Sequence, residues 1–199
     1  RISATVDDLL ELSRIEFGDE MEVDRVDLRP VLAEAVQRLA SAAAGREITV
    51  DVTVSEPVHV SGDARQLASA VSNLVDNAIK FTPKDGTVSI VAKNFDGDDD
   101  DGDEDQEGFS LLNPVVSRVE VRVLDTGIGI PQAERSKVFD AFYQVDSSST
   151  REFGGTGLGL SIVKRLVEAH GGTVHVEGNE PQGTAFVVRF PASGLPPKG

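Results

Sequence analysis

The chain has 199 residues, 39% of them hydrophobic, which is enough for one globular domain with an appendage. No run approaches the roughly 18 apolar residues of a membrane span, no signal-peptide pattern opens the chain, and the lack of cysteine removes disulfides, thiol catalysis and zinc–thiolate sites, a usage that fits a reducing cytoplasm. The formal charge of −15 argues against nucleic acid as a partner; nine acids fall between Asn94 and Ser117 with no Lys or Arg, so the remainder is only moderately acidic.

Arg1 to Phe17 reads as a helix with Ile2, Val6, Leu9, Leu10 and Leu12 apolar and Gly18 at its end. A helix this short is marginal alone, so it is expected to pack on another helix or a second chain. Asp27 is placed to cap a second helix, with Pro30 in its first turn and Gly45 beyond its end. Ile48 to Val54 alternates like a half-buried strand, and Val58 to Val60 is a short strand.

Asp63 to Pro83 is the stretch with the most to say. Asp63 followed by Gln66 resembles a capping box, and Leu67, Val71, Leu74, Val75 and Ala78 recur at the helical period of a core-facing stripe. On the other side, Gln66, Asn73, Asn77 and Lys80 stand out, the last three spaced i, i+4, i+7 in one polar line. Two amides and an ammonium in line suit a phosphorylated ligand with Mg²⁺, which takes oxygen ligands and keeps phosphates as partners; the alternative is a solvated helix face.

Strands are expected at Thr87 to Lys93 and Arg118 to Asp125, forming a hairpin interrupted by the Asp/Gly-dense segment 94–117. That segment reads as solvated disorder, because the fixed ligand positions of a calcium loop are missing. Asp125-Thr-Gly-Ile-Gly-Ile-Pro131 ends the second strand in a glycine turn, with Pro131 starting a short helix. Ser136 to Val145 carries Phe139, Phe142 and Tyr143, and Asp146 to Gly155 reads as a mobile loop. Gly155-Thr-Gly-Leu-Gly159 leads into a helix, Leu160 to His170, and the hairpin of Thr173 to Glu177 with Thr184 to Phe190 closes the domain before a Pro-rich tail.

Glycines directly before a helix expose backbone amides to an anion at the positive end of the helix, so Gly155, Gly157 and Gly159 can cradle phosphates. The third glycine comes one residue early for a dinucleotide fingerprint and no strand immediately precedes the segment. Neither a G-x-x-x-x-G-K-S/T loop nor the H-R-D and D-F-G pair of protein kinases occurs. Asp125 at a strand end could accept a hydrogen bond from an exocyclic amine such as adenine's, with Gly127 and Gly129 allowing close approach; the alternative is a turn aspartate.

In order, NLVDNAIKFTP, DTGIGIP, VFDAFYQVD and GGTGLGLSIVK resemble the N, G1, F and G2 boxes of sensor histidine kinases, members of the GHKL superfamily with its Bergerat ATP-binding fold. The resemblance runs from about Val26 to Pro191 and implies a catalytic ATP-binding domain at 26–192, the end of a dimerisation and phosphoacceptor helix at 1–20, and a tail at 193–199. It implies an α+β two-layer sandwich: a mixed, mainly antiparallel sheet covered on one face by the helices from Asp27, Asp63 and Leu160, with a flexible ATP lid. It further implies ATP and Mg²⁺ as cofactors, with Asn77 on the metal, Asn73 and Lys80 at the phosphates, and Phe81 against the nucleotide. Asp125 becomes the adenine acceptor, flanked by Gly127, Gly129, Ile130 and Thr184. Phe139 to Thr156 becomes the lid, hinged at Phe139 and Phe142, and Arg151, Gly155, Thr156, Gly157, Leu158 and Gly159 close over the phosphates. The implied partners are a second copy through the N-terminal helix, an upstream histidine domain and a response-regulator receiver, in a cytoplasmic setting that a membrane-anchored receptor would share.

Two departures stand out. Gln144 occupies a position where many relatives have Arg, and no phosphoacceptor box is present: His59, His170 and His175 lack its context, so the acceptor histidine is expected upstream of Arg1. Position 73 is Asn where the superfamily's ATPases have a water-activating Glu, and an amide cannot act as a base. The expectation is therefore phosphoryl transfer to a histidine, with a nucleotide-dependent interaction module (a pseudokinase) and a protein-serine kinase as alternatives.

Overall fold

The computed structural model describes residues 21–96, 117–145 and 155–192. The expected helix at 1–17, most of the acidic segment and much of the lid lie outside them. Strand β1 (Asp24–Asp27) opens the described part, followed by α1 (Leu28–Gly45), β2 (Thr49–Val54), β3 (His59–Gly62), α2 (Ala64–Phe81), β4 (Thr87–Asp96), β5 (Ser117–Asp125), a 3-10 turn (Gln132–Glu134), α3 (Gly159–Ala169), β6 (Thr173–Gly178) and β7 (Thr184–Pro191).

Five strands form one sheet in the order β2-β4-β5-β7-β6. The β2–β4 pair is parallel and the others are antiparallel, so the sheet is mixed and mainly antiparallel. Alternation puts Val88, Ile90 and Ala92 of β4, Val119, Val121 and Val123 of β5, and Phe186, Val188 and Phe190 of β7 into the core. The three helices cover that face: α1 packs on β2, α2 on β4 and β5, and α3 on β6, with α2 between the other two. This is the α+β two-layer arrangement expected from the sequence.

β1 and β3 make a separate antiparallel pair that the sequence reading did not include. EVDRVD has no strand signal of its own; it is extended because β3 offers a free edge. Gly45 is the last residue of α1 rather than the residue beyond it.

α2 begins as expected, but its cap differs in one respect. The Asp63 carboxylate accepts hydrogen bonds from the amides of Arg65 and Gln66 at 2.9 and 3.3 Å, from the Arg65 guanidinium at 3.2 Å and from the Glu22 amide at 3.3 Å. The reciprocal bond of a capping box is made by another group: the Asp63 amide donates to His170 Nε2 at 3.1 Å, while His170 Nδ1–H donates to the Leu166 carbonyl. His170 therefore locks the end of α3 to the start of α2 and has a structural role. Burial alone would raise the Asp63 carboxyl, but the bonds from Arg65, Gln66 and Glu22 outweigh it and hold it below the ordinary range. Replacing Asp63 with Ala is expected to cost about 2 kcal/mol in urea unfolding, and with Asn only a small part of that, because Asn also caps.

Candidate active site

Leu67, Val71, Leu74, Val75 and Ala78 of α2 are all buried in the main core, so the helix is fixed in rotation and its polar line must face away from the sheet's centre. It faces a cavity of about 950 Å³ walled by α2, the end of β5, the turn after it, the flanks of the lid and the β6–β7 turn. The structure brings Asn73, Asn77, Lys80, Phe81, Asp125, Gly129, Ile130, Gly155, Thr156, Gly157, Gly159 and Thr184 to this one space. Gly127 and Leu158 are not on its wall, and Arg151 lies outside the described residues.

One end of the cavity is built around Asp125, the last residue of β5 and only 3% exposed. Its Oδ1 accepts the amides of Gly127 at 2.8 Å and Thr184 at 3.1 Å, and the Thr184 hydroxyl also bonds the carboxylate. Burial pushes this carboxyl above the ordinary range, partly offset by those bonds. Gly127 serves this geometry from behind: a Cβ there would lie 2.5 Å from the Phe81 carbonyl oxygen and 2.7 Å from Asp125 Oδ1. Its glycine is needed by the turn, whereas Gly129, at φ +76, is the one that reaches the cavity.

The other end lies where α3 begins. Asn73 Nδ2 donates to the Ser69 carbonyl at 3.1 Å, which turns its Oδ1 outward. A Cβ on Gly159 would sit 3.0 Å from that oxygen and 3.8 Å from Asn77 Nδ2, and one on Gly155 would sit 2.6 Å from Lys80 Nζ. Glycine is thus what lets the loop and the N-terminus of α3 come down onto the amide–ammonium line. Thr156 Oγ1 accepts the Leu158 amide at 3.1 Å, and the Leu158 side chain is buried with Ala70, Ile162 and Leu166, pinning α3 to α2. Lys80 is half-buried; burial lowers its ammonium pKa, the Asp76 carboxylate opposes that and Arg46 adds to it.

The residues on either side of positions 146–154 meet: the Phe142 amide donates to the Gly157 carbonyl at 2.9 Å and Gln144 Nε2 donates to the Gly155 carbonyl at 2.9 Å. Phe139 is buried. The Phe142 ring is not; it is 67% exposed, and this residue is held by its backbone at φ 66. None of the three histidines lines the cavity.

Sequence reasoning missed Asp76, Arg135 and the turn from Gly178 to Gly183. Asp76 had a signal, standing three residues after Asn73 and four before Lys80. The turn had none, because only the pairing of β7 beside β5 brings it to Asp125, where Asn179 Nδ2 donates to the Asp125 carbonyl at 2.8 Å.

Residues 62–194 match the family model described as histidine kinase-, DNA gyrase B-, and HSP90-like ATPase. The signal transduction histidine-protein kinase/phosphatase MprB of Mycolicibacterium paratuberculosis is 37% identical over 202 residues, covering 100% of this chain and 34% of that protein. This chain thus spans about a third of the length of that relative. Among solved structures, a mycobacterial sensor histidine kinase MprB aligns with a TM-score of 0.67 at 30% identity, covering 87% of this chain and 99% of the other. Full-length ShkA in complex with AMPPNP aligns with a TM-score of 0.75 at 29% identity, covering 96% and 36%.

Proposed function

We propose that this chain, which belongs to the histidine kinase-, DNA gyrase B-, and HSP90-like ATPase family and within it to the catalytic ATP-binding domains of sensor histidine kinases, delivers the γ-phosphoryl group of magnesium-bound ATP to a histidine on a separate domain. The observation that carries this reading is the convergence of Asp125, the Asn73–Asn77–Lys80 line and the glycines of α3's approach on one cavity. The relative ShkA was solved with an ATP analogue, AMPPNP, which supports the choice of nucleotide.

In this reading Asp125 accepts the exocyclic amine of adenine, with the Gly127 and Thr184 amides holding its carboxylate in place. Gly129 and Ile130 form the wall beside the base, and Phe81 flanks the nucleotide. Lys80, Thr156 and the backbone of Gly155, Gly157 and Gly159 bind phosphate oxygens, with Arg151 as a further contact from the lid and Gly127 and Leu158 supporting from behind.

The donor set fits Mg²⁺ of the weakly held kind. Asn73 presents an oriented amide oxygen to the cavity, Asn77 stands one turn along, and no group of three His, Cys, Asp or Glu side chains among the described residues would hold an ion by itself. Such a site depends on the phosphates for its remaining ligands. A bound Mg²⁺ would neutralise phosphate charge; Asn77 would be the residue holding it and Asn73 would support the adjacent phosphates. Phosphoryl transfer needs little from the protein beyond such positioning, and Asn73 cannot activate water, so the acceptor and its base come from the histidine domain. In the whole protein, residues 1–20 belong to the segment that joins two copies, 26–192 form the catalytic domain and a receiver domain takes the phosphoryl group onward.

The test supplies labelled ATP and Mg²⁺ to this chain, with and without a separately prepared histidine-bearing helical domain. Nucleotide is expected to bind in both cases and stable label to appear only on the added domain. Asn77→Ala is expected to weaken Mg-ATP binding at least about tenfold. Label on this chain alone would overturn the reading, and unchanged Mg-ATP affinity in the Asn77 variant would remove the metal assignment.

A further inference from the structure

Arg135, the residue after the 3-10 turn, is half-buried and lines the cavity. Its Nε donates to the Ile130 carbonyl at 3.1 Å. From there the guanidinium reaches Gly178 at the end of β6, where a Cβ would lie 2.9 Å from Nη2, 3.8 Å from Cζ and 3.9 Å from Nη1. Gly178 adjoins Asn179, whose Nδ2 holds the Asp125 carbonyl. Arg135 thus bridges the turn after β5 and the end of β6 at the Asp125 end of the cavity, and a side chain at 178 would take the guanidinium's place.

The protein uses little of this guanidinium. Arg65, Arg122 and Arg189 each pair with a carboxylate, whereas Arg135 pairs with none among the described residues, and its only side-chain hydrogen bond there is the one from Nε. The adjacent Glu134 is taken by Tyr143 and Lys137. Asp125 is not its counter-ion, because burial and the bonds from Gly127 and Thr184 account for the state of that carboxylate. An arginine that only tied the turn to β6 would place its Nη donors on β6 carbonyls. Held instead by one bond on a cavity wall, it keeps a positive charge and planar donors for a ligand's acceptors. The amide–ammonium line that suits phosphates lies at the other end, so the acceptors within reach are those of the nucleoside.

We propose that Arg135 binds the nucleoside half of the nucleotide, donating from Nη1 or Nη2 to an uncharged acceptor, a ring nitrogen of adenine or a ribose hydroxyl, and that Gly178 is glycine to leave room for it. This rests on the ATP-site reading above. Adenine offers ring acceptors beside its amine, so Asp125 and Arg135 read complementary features of one ligand.

The test measures affinity by calorimetry without divalent cation for adenosine, ADP, the deazaadenosines that each lack one ring nitrogen and the deoxyadenosines that each lack one ribose hydroxyl. Arg135→Met is expected to weaken adenosine and ADP by the same factor, about tenfold, the lower end for a hydrogen bond to a charged group. One analogue is expected to lose about as much with the wild type and nothing further with Arg135→Met, which identifies the acceptor. Gly178→Ala, which displaces the guanidinium and keeps its charge, is expected to weaken adenosine in the wild type but not in the Arg135→Met background. If every analogue loses the same factor with wild type and variant, Arg135 is a structural tie and the proposal is overturned. It is overturned equally if ADP weakens and adenosine does not, the result of a charge acting on phosphate. If the wild type itself fails to bind adenosine, the ATP-site reading falls and the inference with it.

Discussion

Replacing Asp125 with Asn is expected to weaken adenosine binding about a hundredfold and, at neutral pH, to make the protein harder to unfold. Both effects come from the same burial. Asp125 Oδ1 is claimed by the amides of Gly127 and Thr184, so the carbonyl of an asparagine would settle there and its amino group would occupy the Oδ2 position. A donor would then face the adenine amine where an acceptor had been. Losing a hydrogen bond to a charged group costs about 1.5–3 kcal/mol, and the facing donors push the loss to the top of that range, which is about two decades of affinity.

Stability moves the other way. Burial raises the Asp125 carboxyl above its unfolded value of 3.8, so the folded protein holds this proton more tightly than the unfolded chain does. As pH rises through the unfolded value and then through the raised folded one, the wild type loses stability that the uncharged asparagine keeps. Urea midpoints measured from pH 3 to pH 8 should therefore coincide most closely at the acid end, with the variant ahead above it. Equal midpoints at pH 7 together with unchanged adenosine affinity would show that Asp125 is only a turn residue.

The contrast between what was and was not legible in the sequence follows from locality. The α2 pattern could be read because helix period, cap and polar line lie within some twenty residues, and burial of Leu67, Val71, Leu74, Val75 and Ala78 follows directly from spacing. Asp125 at a strand end and the glycines before α3 were local signals too. β1 was invisible because its extension depends on pairing with β3, from Asp24 opposite Gly62 to Asp27 opposite His59. The His170 bond to Asp63 spans 107 positions and replaces a contact that the nearby Gln66 suggested. Phe142 shows the limit of motif reading: an aromatic in an anchor position is held by its amide on Gly157 and leaves its ring in solvent. The β6–β7 turn enters the site through sheet order alone.

That turn supplies the largest expected loss of stability. Gly183 has φ +137, and a Cβ there would lie 1.9 Å from the Asp125 carbonyl oxygen, 2.9 Å from its carbon and 3.1 Å from Thr126 Cα. All three are backbone atoms of β5 and the turn after it, so no side chain can swing aside. Gly183→Ala must push the start of β7 away from the end of β5, which opens the Thr184 amide bond to Asp125 Oδ1 at 3.1 Å and the Asn179 bond to the Asp125 carbonyl at 2.8 Å. Strain and clash together are expected to cost about 4 kcal/mol in urea unfolding, in the range reserved for forced backbone shifts. Gly171 provides the comparison, because it too has positive φ, at +69, yet a Cβ there meets only Pro191 Cγ at 3.7 Å. Gly171→Ala should cost about 1 kcal/mol from backbone conformation alone and leave adenosine affinity intact. Gly183→Ala, assayed at low temperature where the fold persists, should also lose adenosine binding, since the carboxylate no longer has both amides to hold it. If the two variants lost stability equally and both kept adenosine, the β6–β7 turn would be a connection between strands and not a wall that sets Asp125.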